Sequence, residues 1–454
     1  MSMGSLLGLK LRRVFLWYDV DMNDVSLEKI VSLCKRRGFI YPGSEIYGGL
    51  QGFWDYGPLG TELKRNVKNL WWKKMVSERE DVVGIDAAII MNPHVWKASG
   101  HLDAFTDPLI ECKTCHQRVR ADQEDAIKSH EKSHSPDEVS WTEAKSFNLM
   151  TEVLLGVTEP KQKAYLRGEI TQGVFVNFNN VVSSNRVKIP FGIAQIGKAF
   201  RNEITPGNFT FRSREFEQME LEYFVEPNEK ESQKLFEEFK KLRLQWYIDL
   251  GIKSENVRLR DHEPDERAHY ARHATDIEYN SPFGWKEFEG IHHRGDWDLS
   301  RHKLQYADPI SGEAYTPWVI ETSAGADRAT LFFLLDAYTV DGKRTVLKLH
   351  PLLAPIKVAV FPLVSNKEEL VNKARSLYKT LKKEELNVAW DDRGNIGKRY
   401  LAQDEIGTPW CVTVDYQTLE DNCVTVRDRD TTKQDRVSLD TLVDYFRKKL
   451  YNNN

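Results

Sequence analysis

The stretch KAFRNEITPGNFTFRSREFEQMELEYF, Lys198–Phe224, decides the architecture. Thr205, Pro206, Gly207 and Asn208 are turn residues between two alternating runs, which predicts a β-hairpin with a short loop. Period-two alternation sorts the return strand into faces. Phe209, Phe211, Met219, Leu221 and Tyr223 point towards a core, and Arg212, Arg214, Phe216, Gln218, Glu220 and Glu222 share the other side. On the outgoing strand Arg201 and Glu203 share a face. Two arginines, an aromatic and then carboxylates make a strip able to meet phosphates, a flat base and an amine in that order. Arginine suits the phosphates because its planar fork donates in pairs. The plainer reading is a solvated strand whose charges cancel; Phe216 in mid-strip, with Arg201 and Arg212 flanking the turn, weighs against it.

A second segment, VIETSAGADRATLFFLLDAY, reads as a strand over Val319–Ser323, a turn at Gly325 and a helix over Ala326–Tyr338. Arg328 falls in the first helical turn, where the macrodipole disfavours a cation. A bound anion resolves that conflict, since the helix start and the guanidinium both attract it. The alternative is a surface arginine paired with Asp327 or a distant acid.

Outward from these segments, a helix is predicted over Ser26–Arg37, stopped by Gly38, and an amphipathic one over about Thr61–Glu78 with Leu63, Val67, Leu70 and Trp71 inward. Between them glycines crowd a loop ending in WDYGPLG. The polar stretch Glu111–Lys145, with Cys and His, reads as an insertion. From Ala164 to Tyr338 strands dominate, with one clear helix from about Lys230 to Leu250. The Pro-marked joint HPLLAP, His350–Pro355, then leads into alternating strands and helices, a compact α/β unit.

At 454 residues and 41 % hydrophobic content, the chain has material for two or three packed domains, which excludes wholesale disorder. No apolar run approaches the ~20 residues of a membrane span. Five cysteines make no disulfide framework and point to a reducing compartment. A net charge of −4 excludes a protein that coats nucleic acid nonspecifically. Residues 1–21 are unlike the rest of the chain. Their basic and apolar character suggests a targeting peptide, but Asp19 and Asp21 oppose a mitochondrial one, and an upstream start ahead of Met22 explains them as well.

The Arg201/Glu203 strand, its loop, the Arg212–Phe216 return and the glycine-plus-arginine helix start resemble motifs 2 and 3 of class II aminoacyl-tRNA synthetases. More closely, GSEIYGGLQGFWDYGPLG, FRNEITPGNFTFRSREFEQMELEYF, ETSAGADR and IGKRYLAQDEIGTP resemble the dimeric glycyl-tRNA synthetases, and the similarity runs from about Ser26 to Lys449. The resemblance implies an α+β fold. Residues 22–350 are then a catalytic domain with an antiparallel sheet flanked by helices and the insertion at 111–145, and residues 355–454 an α/β anticodon-binding domain. It implies that glycine and ATP give glycyl-adenylate and pyrophosphate, and that the glycyl group then passes to the 3′ end of tRNA(Gly). A homodimer, and Mg²⁺ with the triphosphate, are implied too; a cytoplasmic location is the default expectation, with an organelle as the alternative.

Carried onto this sequence, the resemblance makes Arg201 and Arg328 the catalytic arginines. Arg201 holds the glycine carboxylate and α-phosphate; Arg212 and Arg328 hold the outer phosphates. Glu203 reads adenine and Phe216 stacks on it. Asn202, Phe211, Arg214, Glu215, Glu287, Phe288, Gly325, Ala326 and Asp327 complete the ATP positions, with Glu287 facing magnesium. Glu169, Glu220 and Glu321 match the acidic cluster for the substrate ammonium. Ser323 fills the space a larger side chain needs, which is how glycine must be chosen when one methyl is worth only ~1–3 kcal/mol. Arg120, Glu217, Gln218, Met219, Thr322 and Ala324 fall at the remaining glycine positions, with Phe216 and Gly325 shared.

The chain departs from the family pattern Arg-Pro-Glu-Thr-Ala-Gln-Gly at Arg167–Gly173, where Gly168 replaces proline and Ile170 threonine. Gly168 loosens the backbone that carries Glu169. Cys112 and Cys115, followed by His130 and His134, have the spacing of a tetrahedral structural zinc site; the alternative is a decayed site of free thiols and solvent histidines. His292 and His293 read as structural or nucleotide-shell residues. Lys398, Arg399, Arg427 and Arg429 suit an anticodon arm, but neighbouring Asp404, Glu405, Asp428 and Asp430 suit a balanced solvated face equally. Two rival functions stand: a synthetase-like nucleic-acid-binding protein without aminoacylation activity, and an adenylate-forming enzyme that charges a carrier or amine.

Overall fold

The computed structural model describes residues 25–451 apart from 136, 137, 269 and 385. The N-terminal extension, 1–21, lies outside the described residues. Seven strands form the central sheet: β1 (Val82–Gly84), β2 (Phe191–Phe200), β3 (Glu215–Val225), β4 (Val257–Asp261), β5 (His273–Ser281), β6 (Gly284–Gly295) and β7 (Trp318–Gly325). Their spatial order is β4-β5-β6-β7-β3-β2-β1, antiparallel except where the short edge strand β1 runs parallel to β2.

Alternation in β3 follows the reading of the sequence from Glu215 onward. Met219, Leu221 and Tyr223 enter the core, packed with Ile277, Ile291 and Ile320 beneath the helices Glu229–Asp249 and Ala326–Ala337. The second of these is apolar on nearly every side and accordingly almost wholly buried. Leu27–Arg37 begins at the Ser26 cap and ends at a left-handed Gly38, as its sequence signals require.

The hairpin differs from the expectation in its loop. The strands stop at Phe200 and resume only at Glu215, and residues 201–214 fold as an ordered excursion with a single 3₁₀ turn, Phe209–Phe211. Asn208 and Phe209 both take left-handed φ, 53° and 58°, a conformation that cannot continue a strand. Arg201, Glu203, Arg212 and Arg214 therefore sit on this loop rather than on strand faces.

Two short helices, Thr171–Val176 and Phe178–Asn185, occupy part of the region read as strands. The insertion grows from a three-stranded sheet of Arg118–Arg120, Thr106–Glu111 and Lys145–Asn148, so it is rooted earlier than Glu111. Beyond the hairpin Tyr338–Asp341/Arg344–Leu347, a five-stranded sheet with helices Glu368–Lys383, Ile396–Ile406 and Leu442–Tyr451 makes the expected α/β unit, with an unforeseen edge strand, Gln434–Ser438. Of the basic residues read as suiting an anticodon arm, Lys398 is exposed, but Arg399, Arg427 and Arg429 are buried. Arg427 grips Asp404 at 2.8 and 3.0 Å, Arg429 pairs with Asp430, and buried Arg399 donates to backbone carbonyls, among them Gly394 at 2.8 Å. Glu405 is taken by Arg36 and Arg37 of the first helix.

Candidate active site

One face of β3, β5, β6 and β7 floors a groove of about 390 Å³. Alternation presents Gln218 and Glu220 from β3, Glu321, Ser323 and Gly325 from β7, Gly290 and His292 from β6, and Asp276 from β5. Glu220 lies directly opposite Ser323, and Glu222 opposite Glu321. The 201–214 loop roofs one end with Arg201, Glu203, Phe211 and Arg212, and the first turn of the helix Ala326–Ala337 adds Arg328.

The roof is cationic and fixed. Arg201 donates from Nε to the Gly168 carbonyl at 3.0 Å and lies between the rings of Phe105 and Phe216, 5.1 and 5.3 Å from their centroids. That bond also pins the backbone at Gly168, where a Cβ would meet Met150 and Phe105 at 3.0 Å. The segment carrying Glu169 is thus held by packing despite the lost proline. Arg328 donates to the Phe211 carbonyl at 3.1 Å, reaches Glu287 Oε2 at 3.3 Å and lies 4.4 Å over the Phe211 ring. Burial lowers the Arg212 guanidinium pKa against the opposing Glu203, and the neighbouring Arg120 and Arg328 add to the lowering. Glu203 stands 3.8 Å from Arg212 with its Oε2 buried and without a hydrogen-bond partner.

The floor is acidic. Burial opposes ionisation of Glu169, but His101 at 3.3 Å, then Arg294 and Gln172, hold its carboxyl well below the usual range. Glu321 is likewise lowered against burial by Arg294 and His292. Glu220 goes the other way: burial, then Glu321 and Glu169, push it up to about 8. Glu222, buried and facing Glu321, is raised well above the carboxylate range. Arg294 contacts Glu321 and donates twice to Asp298, at 2.7 and 3.0 Å.

Several expected positions point elsewhere. Met219, Thr322 and Ala324 turn their side chains away from the groove because they occupy the alternate strand positions, and Ala326 is buried at the helix start. Glu217 pairs with Lys64 and Lys68 at 2.8 and 2.7 Å. Asp327 accepts from Tyr56 at 2.6 Å, Lys64 at 2.8 Å and the Glu217 amide at 2.6 Å, so it does not pair with Arg328, although both it and Glu217 still border the groove. Arg214 braces the loop through the carbonyls of Glu203 and Gln51, Glu215 pairs with Lys198, and Asn202 is exposed with its amide on Leu149. Phe288 is the unpaired residue of a bulge in β6, and its ring turns into the core against Tyr247 and Phe332. Arg120 is anchored by Asp107 and Asp122 beside the groove. His292 faces the floor, 3.5 Å from Glu321, whereas His293 is buried on the opposite side, where burial lowers it to about 4. His101, Thr171, Gln172, Arg294 and Asp298 belong to the site without having been singled out as ligands. Only the four-residue step from Arg294 to Asp298 was a local signal.

In the insertion, Cys112, Cys115, His130 and His134 bring their ligand atoms within 4.8 Å of one another. Two thiols and two imidazoles at that separation fit a tetrahedral zinc ion.

A cationic roof over an acidic floor, on an antiparallel sheet, matches what comparison finds: residues 153–338 match the tRNA synthetase class II core domain (G, H, P, S and T), and residues 357–449 the anticodon binding domain. The groove is that of a class II aminoacyl-tRNA synthetase core. The glycine–tRNA ligase of Caldanaerobacter subterraneus subsp. tengcongensis is 49 % identical over 463 residues, covering 94 % of this chain and 99 % of the relative. Those of Acetivibrio thermocellus and Streptomyces coelicolor are each 50 % identical over 93 % of this chain and 98 % of their own length. The chain belongs to the glycine–tRNA ligase family.

Proposed function

We propose that this groove activates glycine with ATP and then passes the glycyl group to the 3′ end of tRNA(Gly). The observation that carries the reading is the acidic floor of Glu169, Glu220 and Glu321, closed by Ser323 and lying directly below the arginine roof. The ammonium of glycine meets the floor, and its carboxylate is left pointing at Arg201. The orphaned Glu203 oxygen accepts from the adenine amino group, the Phe216 ring faces the base, and Arg212 and Arg328 take the outer phosphates. Carboxylate oxygen attacks the α-phosphorus, the bond to the bridging oxygen breaks, and pyrophosphate leaves. No protein nucleophile is needed; the residues position the reactants and stabilise charge.

Magnesium enters with ATP, and Glu287, on the same side of the groove as Asp276, offers it carboxylate oxygen. Glycine is selected by exclusion. Ser323 Oγ donates to Glu220 at 2.5 Å and Thr171 Oγ1 donates to it at 2.6 Å, filling the space beside the substrate methylene.

The test is amino-acid-dependent exchange of pyrophosphate into ATP, with each amino acid supplied alone. Glycine is expected to support exchange best, and alanine is expected at about a tenth to a two-hundredth of its rate, the size one methyl allows. No exchange from folded protein overturns the reading in favour of a nucleic-acid-binding protein without this activity. The same preparation is expected to sediment as a homodimer. Residues 22–350 serve as the catalytic unit and 355–454 grip the anticodon arm. The free thiols of Cys34, Cys411 and Cys423 suit a cytoplasmic setting.

Zinc in the insertion is part of the proposal. It would steady the insertion whose strand Arg118–Arg120 carries Arg120, and would take no part in the chemistry, since four protein ligands leave no open position. Purified protein is expected to hold one zinc per chain, and Cys112→Ser with Cys115→Ser to hold essentially none while proteolytic nicking within 111–145 rises. Metal analysis that finds no zinc in the unaltered chain overturns it.

A further inference from the structure

The acidic floor carries more negative charge than its surroundings balance. Glu169, Glu220, Glu222 and Glu321 lie together with Asp298. Arg294 is spent on Asp298 and Glu321, and Arg167 is turned onto the carbonyls of Lys198 and Ala87 at 2.6 and 2.8 Å. The imidazoles stand by other acids, His101 at Glu169 and His292 at Glu321. Both oxygens of Glu222 are buried without a hydrogen-bond partner, and a carboxyl so placed stays neutral.

Glu220 is different. Thr171, Ser323 and Gln218 all donate to it, at 2.6, 2.5 and 2.7 Å, while β2 offers only the uncharged Gln195 opposite. It has the hydrogen bonds a carboxylate needs and no counter-charge of its own. Such a group is prepared for an ionised state that appears only when a cation arrives.

We propose that the empty glycine pocket keeps a proton on Glu220, which the substrate ammonium replaces. The exchange balances as Glu220–COOH plus ⁺H₃N–CH₂– giving Glu220–COO⁻···⁺H₃N–CH₂– plus one proton released to solvent. It rests on the reading of the floor as the glycine pocket. Glycine recognition is then proton-linked: an elevated carboxyl, near 8 when the site is empty, must ionise for the ligand to bind, so binding weakens as pH falls below it. The ammonium is thereby matched by a charge that an empty pocket does not have to bury.

The probes are glycyl-sulfamoyl-adenosine and its acetyl counterpart, which lacks the amine. Titration calorimetry with the unaltered protein at pH 7, in two buffers of different ionisation enthalpy, gives the protons exchanged. The glycyl compound is expected to release close to one proton more than the acetyl compound, and its affinity relative to the acetyl compound to rise about tenfold from pH 6 to pH 7. In Glu220→Gln both differences disappear. Equal proton release by the two compounds, or a ratio of affinities flat with pH, overturns the proposal while leaving the pocket assignment standing. Failure of both compounds to bind folded protein overturns the pocket assignment itself, and the proposal with it.

Discussion

Arg201→Ala is expected to lower kcat/KM for glycine-dependent pyrophosphate exchange by about 10²–10³-fold, the loss that accompanies removal of one preorganised donor at a developing oxyanion. The size comes from how Arg201 is held. Its Nε is fixed on the Gly168 carbonyl and its guanidinium carbon lies over the rings of Phe105 and Phe216, so little reorganisation is needed when charge gathers on the α-phosphate. Lysine is expected to restore little, because an ammonium keeps the charge but neither the fork nor the stacking. The loss should appear in kcat far more than in the KM for ATP, since Glu203, Arg212 and Arg328, the groups proposed to hold the nucleotide, are left in place. Steady-state exchange kinetics with both substrates varied decides this. A loss below tenfold, or one confined to the KM for ATP, removes Arg201 from the chemical step.

The sequence was most legible where one side of an element is apolar and the other is not. Met219, Leu221 and Tyr223 alternate with Gln218, Glu220 and Glu222, so register and facing could be read directly. The same rule misled just upstream. Phe209 and Phe211 mimic strand alternation, yet they flank one residue of a 3₁₀ turn, and the arginines around them reach the groove because the loop folds back over it. Val174, Phe175 and Phe178 form an apolar run that a buried strand shares with a buried helix, and periodicity alone does not separate the two.

Charged residues were the least legible. Arg427, Arg429 and Arg399 looked available and are consumed inside the second domain, while Asp327 and Glu217, at the border of the groove, are tied to Lys64. His101 comes to Glu169 from a segment distant in sequence, through a contact that only the tertiary fold creates. Local pattern states which residue types are present; whether a charge is free to meet a ligand depends on what the fold has already placed beside it.

That principle gives the largest expected effect on stability. Arg243 and Glu289 are fully buried beneath the sheet, joined at 2.6 and 3.0 Å, with Tyr247 donating to Glu289 at 2.7 Å and Trp246 against the guanidinium at 4.5 Å. Arg243→Met keeps the volume but strands Glu289 in the core, and is expected to cost ~3–5 kcal/mol. That is a large part of the ~5–15 kcal/mol that holds a domain together. Adding Glu289→Leu removes the orphaned charge and is expected to return most of the loss, because a buried pair gains little over well-packed apolar side chains. Thermal unfolding of both variants, followed with hydrogen exchange along β6, distinguishes the causes. Equal destabilisation in the single and double variants assigns the cost to lost packing around Trp246 and Tyr247; recovery in the double assigns it to charge. Since β6 also presents Gly290 and His292 to the groove, a stranded Glu289 should weaken glycine use before the protein unfolds, and the double variant should recover both together.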